Sequence, residues 1–498
     1  MTSIRSVLGF IVGKLLGGLF AIAAMVLLVG LWKLQMLPSN IMLIAAVLIT
    51  LLVALVIVLT WSGRGKVRMT FGIILAVLGI FAMSVGTFFT WKMVNTINRI
   101  SAGATETVQI GVYMRNDDKR ELAANFRFGI WAPEGSDPDE AVNSVIEKLN
   151  KDLDATITGT SYETLTELMD ALLDSNLDAI ILNEAFLDVL TDVPGYEEVR
   201  SQIRKVFLQE VEVELPQTED PDNNYTSLKD SFAVYISGID ARYGGVGVKT
   251  RSDVNIIAVV NPQTKQVLLV NTPRDYYVPI SSPQSYLDGR NDKLTHAGLG
   301  GPEYSKKTLS NLYGIDVAYY FKVNFSGFVN IVDSLDGITV QSEYNFRYTD
   351  DDGSVYYYQK GENELNGKEA LGFCRNRYSF ASGDNQRGKN QMAVIKGVIN
   401  KALSPKLLTN YTEILDAVSE SMEMTVPMDV IGDLVSRQLS DGGEWNVVSY
   451  SVTGSGGYAK SPAAGGAEAY MMFPNEESVE QAKQLIQDVI DGKTLTPN

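Results

Sequence analysis

The chain has 498 residues, with 42 Lys and Arg against 59 Asp and Glu, one His and one Cys. Its 45% hydrophobic and 20% charged content supports large cores and excludes wholesale disorder. A lone Cys374 excludes an internal disulfide framework, and a lone His296 excludes a multi-His metal centre, so a metal here would be a hard, oxygen-bound cation such as Mg²⁺.

The first 99 residues hold eight Lys and Arg and no Asp or Glu, which leaves −25 on the remainder. So acidic a remainder is a poor general binder of nucleic acid, which demands a basic face. Apolar stretches at about 7–31, 41–61 and 71–91 each approach the ~20 residues that cross a bilayer core. Trp32, Trp61 and Trp91 mark their ends, where indole prefers the interface. The 62–70 loop carries Arg64, Lys66 and Arg68, against one Lys in the 33–40 turn. Positive-inside counting puts the N-terminus and the 62–70 loop in the cytoplasm. Residues 1–95 are therefore expected to be a three-helix anchor in the cell membrane, with the bulk of the chain outside. A cleaved signal peptide does not fit a first stretch this long with two more behind it. The absence of cysteine pairs suits a Gram-positive cell surface.

Residues 100–215 read as a small α/β accessory domain. Strand alternation at 107–113 is followed by a helix at 138–149 and a short β-like run at 155–159. Thr160 and Glu163 form an expected capping box for a helix through Leu173, and 177–182 reads as a buried strand. This βαβαβ order predicts a parallel sheet. Without a phosphate loop or a special carboxylate pair, the domain is expected to be an accessory or docking module. Residues 216–230, rich in Asp and Asn, read as a linker.

The chemistry concentrates in 231–400. Strands are expected at 232–239, 254–260 and 266–271, with Asp240, Asp253 and Arg274 at their ends, where α/β sheets place ligand sites. Two carboxylates could share one Mg²⁺, or could be solvated loop residues. A second cluster follows. Asn366 and Glu369 cap a helix, and Arg375 and Arg377 are two apart, on one side if the segment is extended. Asp384, Arg387 and Gln391 share a helix face, opposite Met392, Val394, Ile395, Val398 and Ile399. Converging guanidiniums suit a multiply charged anion such as a pyrophosphate. The stripe Phe325, Phe328, Val329, Val332 and Leu335 reads as core, with a lipid slot as the alternative. His296 reads as structural or substrate-contacting rather than a base, and Cys374 as no nucleophile. Residues 446–453 and 478–490 read as a strand and an amphipathic helix completing the sheet, with 454–467 as a loop.

Together these segments resemble the LytR–CpsA–Psr family of cell-envelope proteins. The matching pieces are Gly238-Ile239-Asp240-Ala241-Arg242, Arg251-Ser252-Asp253, Thr272-Pro273-Arg274-Asp275, Lys293-Leu294, Leu365-Asn366-Gly367, Arg375-Asn376-Arg377 and Asp384 with Arg387 and Gln391. They run over 235–400, and the three spans plus accessory domain are similar to the CpsA-type layout. The resemblance implies an α/β catalytic domain at 231–490 with a central mixed sheet flanked by helices. It also implies a phosphotransferase that takes a glycopolymer (teichoic acid, capsule or another wall polysaccharide) from an undecaprenyl-pyrophosphate carrier to peptidoglycan. By family position Asp240 and Asp253 would hold Mg²⁺ or Mn²⁺. Arg274, Arg375, Arg377 and Arg387 would clamp the pyrophosphate, Asp384 would orient Arg387, and Gln391 would bond a phosphate oxygen. Asn390 stands where the family often has Arg, and Thr295-His296 where Asn-Ala is usual. Competing readings are a lipid-pyrophosphate hydrolase, a non-catalytic envelope regulator and a glycan- or lipid-binding module. Capsule or wall-assembly proteins are expected partners of the accessory domain.

Overall fold

The computed structural model describes residues 2–34, 39–61, 65–100, 105–133, 136, 139–214, 231–240, 245–283, 285–380, 383–404, 418–419 and 422–496. The expected linker at 216–230 and part of the 62–70 loop lie outside the described residues. The chain forms two compact units: one holds 1–101, 405–419 and 426–444, the other 102–404, 420–425 and 445–498.

The first unit contains three long apolar helices, Thr2–Leu34, Ser39–Trp61 and Lys66–Ile100, and the shorter Met428–Asp441. Each of the three includes a stretch long and apolar enough to cross a membrane: Ile11–Lys33, Ile41–Trp61 and Lys66–Asn95. Their outward side chains, Leu19, Leu51 and Phe81 among them, are apolar and exposed, a pattern stable against lipid and costly against water. Inside, Phe20 packs with Val56, Ala76 and Met83. Gly79 permits this, because a Cβ there would sit 2.3 Å from the Phe20 ring. Small residues bring membrane helices close in this way.

The second unit is built mainly on two large sheets, beside four two-stranded ones. The larger has the strand order Met422–Met424, Tyr319–Asn324, Phe232–Ile239, Ser252–Asn261, Gln266–Asn271, Asn446–Ser451. It is mixed: Phe232–Ile239 pairs parallel with Tyr319–Asn324 and antiparallel with Ser252–Asn261, and Gln266–Asn271 pairs parallel with Asn446–Ser451. Strand alternation feeds two cores. Ile257, Val259, Leu268 and Val270 face helices Pro302–Tyr313 and Glu476–Ile490, through Leu309, Tyr313, Val479 and Ile486. Ile256, Ala258, Val267 and Leu269 face helix Asp384–Ala402, through Met392, Ile395 and Ile399. The expected α/β architecture, a mixed sheet between helices, is what forms.

The smaller sheet has the order Gly159–Tyr162, Phe128–Trp131, Ala179–Asn183, Thr105–Arg115, Ile203–Glu214. Only its first three strands are parallel. Thr105–Arg115, read as the first strand of a parallel unit, runs antiparallel to both neighbours. The true first strand of the βαβαβ unit is Phe128–Trp131. The intervening helices are Glu140–Asp152 and Leu165–Leu173. The second is capped by Thr164, whose Oγ1 accepts from Glu167 N at 3.1 Å, and not by the expected Thr160 and Glu163. Thr160 is committed to the strand instead. The expected loop at 454–467 is also largely a strand: Gly454–Ser461 pairs antiparallel with Ala467–Pro474. Its glycines are covered by neighbours, Gly456 by Tyr470 and Gly457 by Phe473, so the partner strand supplies the side-chain packing that glycine lacks.

The two sheets share one apolar cluster, which runs from Leu165, Leu168 and Leu172 through Trp131 to Leu294 and the larger sheet. Trp131 meets Tyr286 edge-on at 5.4 Å. Thr107 joins the backbone at 247–249, with Thr107 N donating to Gly247 O at 2.8 Å and Lys249 N to Thr107 O at 2.9 Å.

Candidate active site

The antiparallel register places three predicted groups at the same end of three neighbouring inner strands of the larger sheet. Gly238 pairs with Val254 and Ile239 with Ser252, so Asp253 is the extra residue of a bulge and Asp240 follows directly after its partner strand. Bulges re-aim side chains beside functional sites. Thr272 N donates to Asn255 O at 2.9 Å, which carries the next segment across that bulge. Arg274 Nη1 then donates to Asp253 Oδ1 at 2.6 Å. The Arg274 backbone is held in turn by Thr295 N, 2.9 Å from its carbonyl.

The charges here are buried and interdependent. Burial opposes ionisation of Asp253, but Arg274, Arg251 and Arg387 together outweigh it and hold its pKa below the usual carboxylate range. Burial likewise works against the Arg274 charge, and Asp253, Asp275, Asp192 and Asp384 more than compensate. Such shifts mark a preorganised charge cluster.

Helix Asp384–Ala402 begins after Gly383, whose φ of +50° suits glycine. Gly388 lets this helix close on the end of strand Gln266–Asn271, since a Cβ there would lie 2.2 Å from Asn271 Nδ2. Asp384 and Arg387 form an ion pair, as the shared helix face predicts. Burial raises the Asp384 pKa, opposed by Arg387 and then by Arg274 and Arg377. Arg387, Arg274 and Arg377 are therefore each within electrostatic reach of Asp384. Gln391 is buried one turn further along.

Helix Gly367–Arg375 opens with the expected capping box of Asn366 and Glu369. Here the sequence reading needs correction. Arg375 is the last residue of that helix, not part of an extended pair with Arg377. Its guanidinium lies 5.1 Å over the Phe325 ring and 3.4 Å from the exposed Asp351. Asn376 turns the chain, with Nδ2 donating to Arg347 O at 2.9 Å. Arg377 is exposed and stacks on Tyr378 at 4.8 Å. The arginines are thus graded in exposure: Arg274 and Arg387 show little of their side chains, Arg375 is half-buried and Arg377 is exposed. Of the apolar stripe, Val332 and Leu335 are core, while Phe325, Phe328 and Val329 are half-buried.

His296 is structural. It is 1% exposed, and its Nδ1 lies 2.9 Å from Asp292 Oδ1. Asp292 also accepts from Ser461 Oγ and Ala463 N at 2.9 and 2.8 Å. Ser461 Oγ and His296 Nδ1 both turn to the Asp292 carboxylate at 2.9 Å, closer than the 3.5 Å between them. Burial pushes the Cys374 thiol up to about 12. Alkylation of native protein by iodoacetamide at pH 8 is therefore expected to run at least about tenfold slower than for an ordinary thiol, and to reach the ordinary rate on unfolding. Rapid labelling of the folded chain would contradict this.

Sequence reasoning missed four members of the cluster. Arg251, Asp275 and Lys293 sat inside the quoted motifs but were assigned no role. Lys293 Nζ lies 3.0 Å from Asp192 and 3.5 Å from Asp275. Asp192, from the smaller sheet's domain, had no local signal. Among the described residues no group of three or more His, Cys, Asp or Glu is assembled to hold a metal. Asp240 and Asp253 offer two oxygen donors from adjacent strand ends.

Residues 202–487 match the model of the LytR_cpsA_psr family. The chain is 36% identical over 208 residues to the polyisoprenyl-teichoic acid–peptidoglycan teichoic acid transferase TagU of Bacillus licheniformis, covering 42% of this chain and 64% of the relative. It is 37% identical over 209 residues to TagU of Bacillus subtilis strain 168, again covering 64% of that protein. Just under two thirds of these relatives' length is therefore matched. Among solved structures, B. subtilis TagV aligns at 26% identity and a TM-score of 0.43, over 54% of this chain and 99% of that one. With a family match spanning more than half its length, the chain belongs to the LytR_cpsA_psr family.

Proposed function

We propose that this chain is a membrane-anchored phosphotransferase that moves a wall glycopolymer from a polyprenyl-pyrophosphate carrier to peptidoglycan on the outer face of the membrane. The observation that carries the reading is the charge cluster: an Asp253–Arg274 pair, and an Asp384–Arg387 pair whose carboxylate also feels Arg274 and Arg377. Phosphoryl transfer requires positioning and charge neutralisation more than covalent chemistry, and this site has no usable Cys or Ser–His nucleophile. The names of the relatives support the same donor and acceptor classes. The acidic accessory sheet is the expected docking face for wall-assembly proteins.

In this reading Arg375, Arg377 and Arg387 grip the pyrophosphate oxygens, with Asp384 holding Arg387 in place. Asp253, kept ionised by its arginines, orients the acceptor hydroxyl. Asp240 and Asp253 fit a hard divalent cation, Mg²⁺ or Mn²⁺, which typically uses one or two carboxylates and leaves positions for water and phosphate. Such an ion would neutralise phosphate charge. The half-buried Phe325, which lies under Arg375, and its helix neighbours Phe328 and Val329 suit the first isoprene units of the carrier.

Binding of geranylgeranyl pyrophosphate to the full-length protein in detergent, with Mg²⁺, tests the assignment. A charge-assisted bond is worth about 1.5–3 kcal/mol, so Arg375→Ala is expected to weaken binding roughly 10- to 100-fold. Unchanged affinity would remove Arg375 from the donor site.

A further inference from the structure

One carboxylate in the cluster comes from outside the matched family region. Asp192 lies in the turn after helix Ala185–Leu190 of the accessory domain, ahead of the match at 202–487. Its Oδ2 alone takes three cationic donors: Arg251 Nη1 at 2.9 Å, Lys293 Nζ at 3.0 Å and Arg274 Nη2 at 3.3 Å. Arg251 also donates to Asp188 O at 2.9 Å, so the same turn of chain grips it twice.

The Lys293 side chain is 3% exposed. A substrate phosphate cannot reach it, so its counterions must be built in, and they are Asp192 and Asp275. Three cations, Arg251, Arg274 and Lys293, are matched by three carboxylates, Asp192, Asp253 and Asp275. Arg274 spans two of them, with Nη1 on Asp253 and Nη2 on Asp192. Because a guanidinium is planar and rigid, holding both ends fixes its plane and with it the Asp253 oxygen that it pins. Arg375 and Arg377 have no such tie to Asp192, and their partners are Asp351 and Tyr378.

We propose that Asp192 is a positioning residue that the accessory domain contributes to the transfer site, anchoring Arg251, Arg274 and Lys293 and thereby setting the orientation of Arg274 against Asp253. The accessory domain is then part of the catalytic apparatus and more than a docking module. The kinetic side of this inference rests on the proposed transfer reaction; the anchoring side does not.

The test uses the full-length protein in detergent. Asp192→Asn is expected to lower kcat for glycan transfer roughly 10- to 100-fold, the scale of a misplaced catalytic group. Geranylgeranyl pyrophosphate affinity should stay within about threefold, because Arg375 and Arg377 are untouched. A purely structural loss would weaken both. Should Asp192→Asn fail to fold, Asp192→Glu keeps the charge but displaces it by one methylene, and the same split between kcat and affinity is expected. Wild-type kcat in a folded variant overturns the proposal, and so does a raised kcat, which would make Asp192 an internal plug. A double-mutant cycle of melting temperatures over Asp192→Asn and Lys293→Met is read separately. Non-additive shifts support the anchoring and additive shifts overturn it, whether or not the wild-type protein transfers glycan.

Discussion

Arg274→Ala is expected to lose glycan transfer by about 10³-fold and to destabilise the second unit by roughly 3–5 kcal/mol. Both effects have one origin. The Arg274 side chain is 12% exposed and touches Asp253, Asp192 and Asp275 at 2.6, 3.3 and 3.6 Å. Removing it leaves three carboxylates facing a vacated volume, and a buried charge deprived of its partner is far costlier than a pair that was never made. Asp253 also loses the leading attraction that keeps it ionised against burial. Its pKa should rise in the variant, so any residual activity should be lost at a higher pH than in the wild type as pH falls. Arg274→Lys retains a charge without the fork and should recover stability better than turnover. Thermal unfolding and single-turnover kinetics separate these outcomes. Turnover within threefold of wild type in Arg274→Ala would remove this residue from the site.

The second large effect is expected far from the chemistry. Lys322 Nζ lies 2.7 Å from Glu106 Oε1, and the two side chains are 3% and 0% exposed. Glu106 belongs to the accessory strand Thr105–Arg115 and Lys322 to the larger sheet. Lys249 lies near Glu106 as well, at 3.8 Å. Lys322→Ala should therefore cost about 3–5 kcal/mol and make the accessory domain more sensitive to protease. The pair itself need not be stabilising: Glu106→Leu with Lys322→Met should come close to the wild type, because two apolar groups carry no desolvation debt. Denaturant titration of the single and double variants measures this directly. A cost below about 1 kcal/mol for Lys322→Ala would mean that the pair is solvated.

What the sequence made legible follows the range of the interaction. The strands at 232–239, 254–260 and 266–271 were readable because each is a short apolar run bounded by turn residues. The Asn366–Glu369 capping box was readable because it closes within four residues. The helix face of Asp384, Arg387 and Gln391 was fixed by spacing alone. The bulge at Asp253 was not readable, since it exists only in the register between two strands. The direction of Thr105–Arg115 is likewise set by pairing with Ile203–Glu214, a partner nearly a hundred residues on. The Gly-rich segment after 454 read as a loop because glycine disfavours strands, yet aromatic side chains across the hairpin cover it. Asp192 lay deepest from view: its three partners are 59, 82 and 101 residues away in the chain.

The most direct test of the central claim is a transfer assay on the full-length protein. It combines Mg²⁺, a polyprenyl-pyrophosphate-linked glycan and peptidoglycan oligomers, with products followed by mass. The account predicts a glycan–peptidoglycan adduct joined through one phosphate, formed by the wild type and lost in Arg274→Ala and Asp253→Asn. Free phosphoglycan at the same rate with and without peptidoglycan, and no adduct, would make the site a hydrolase and contradict the account.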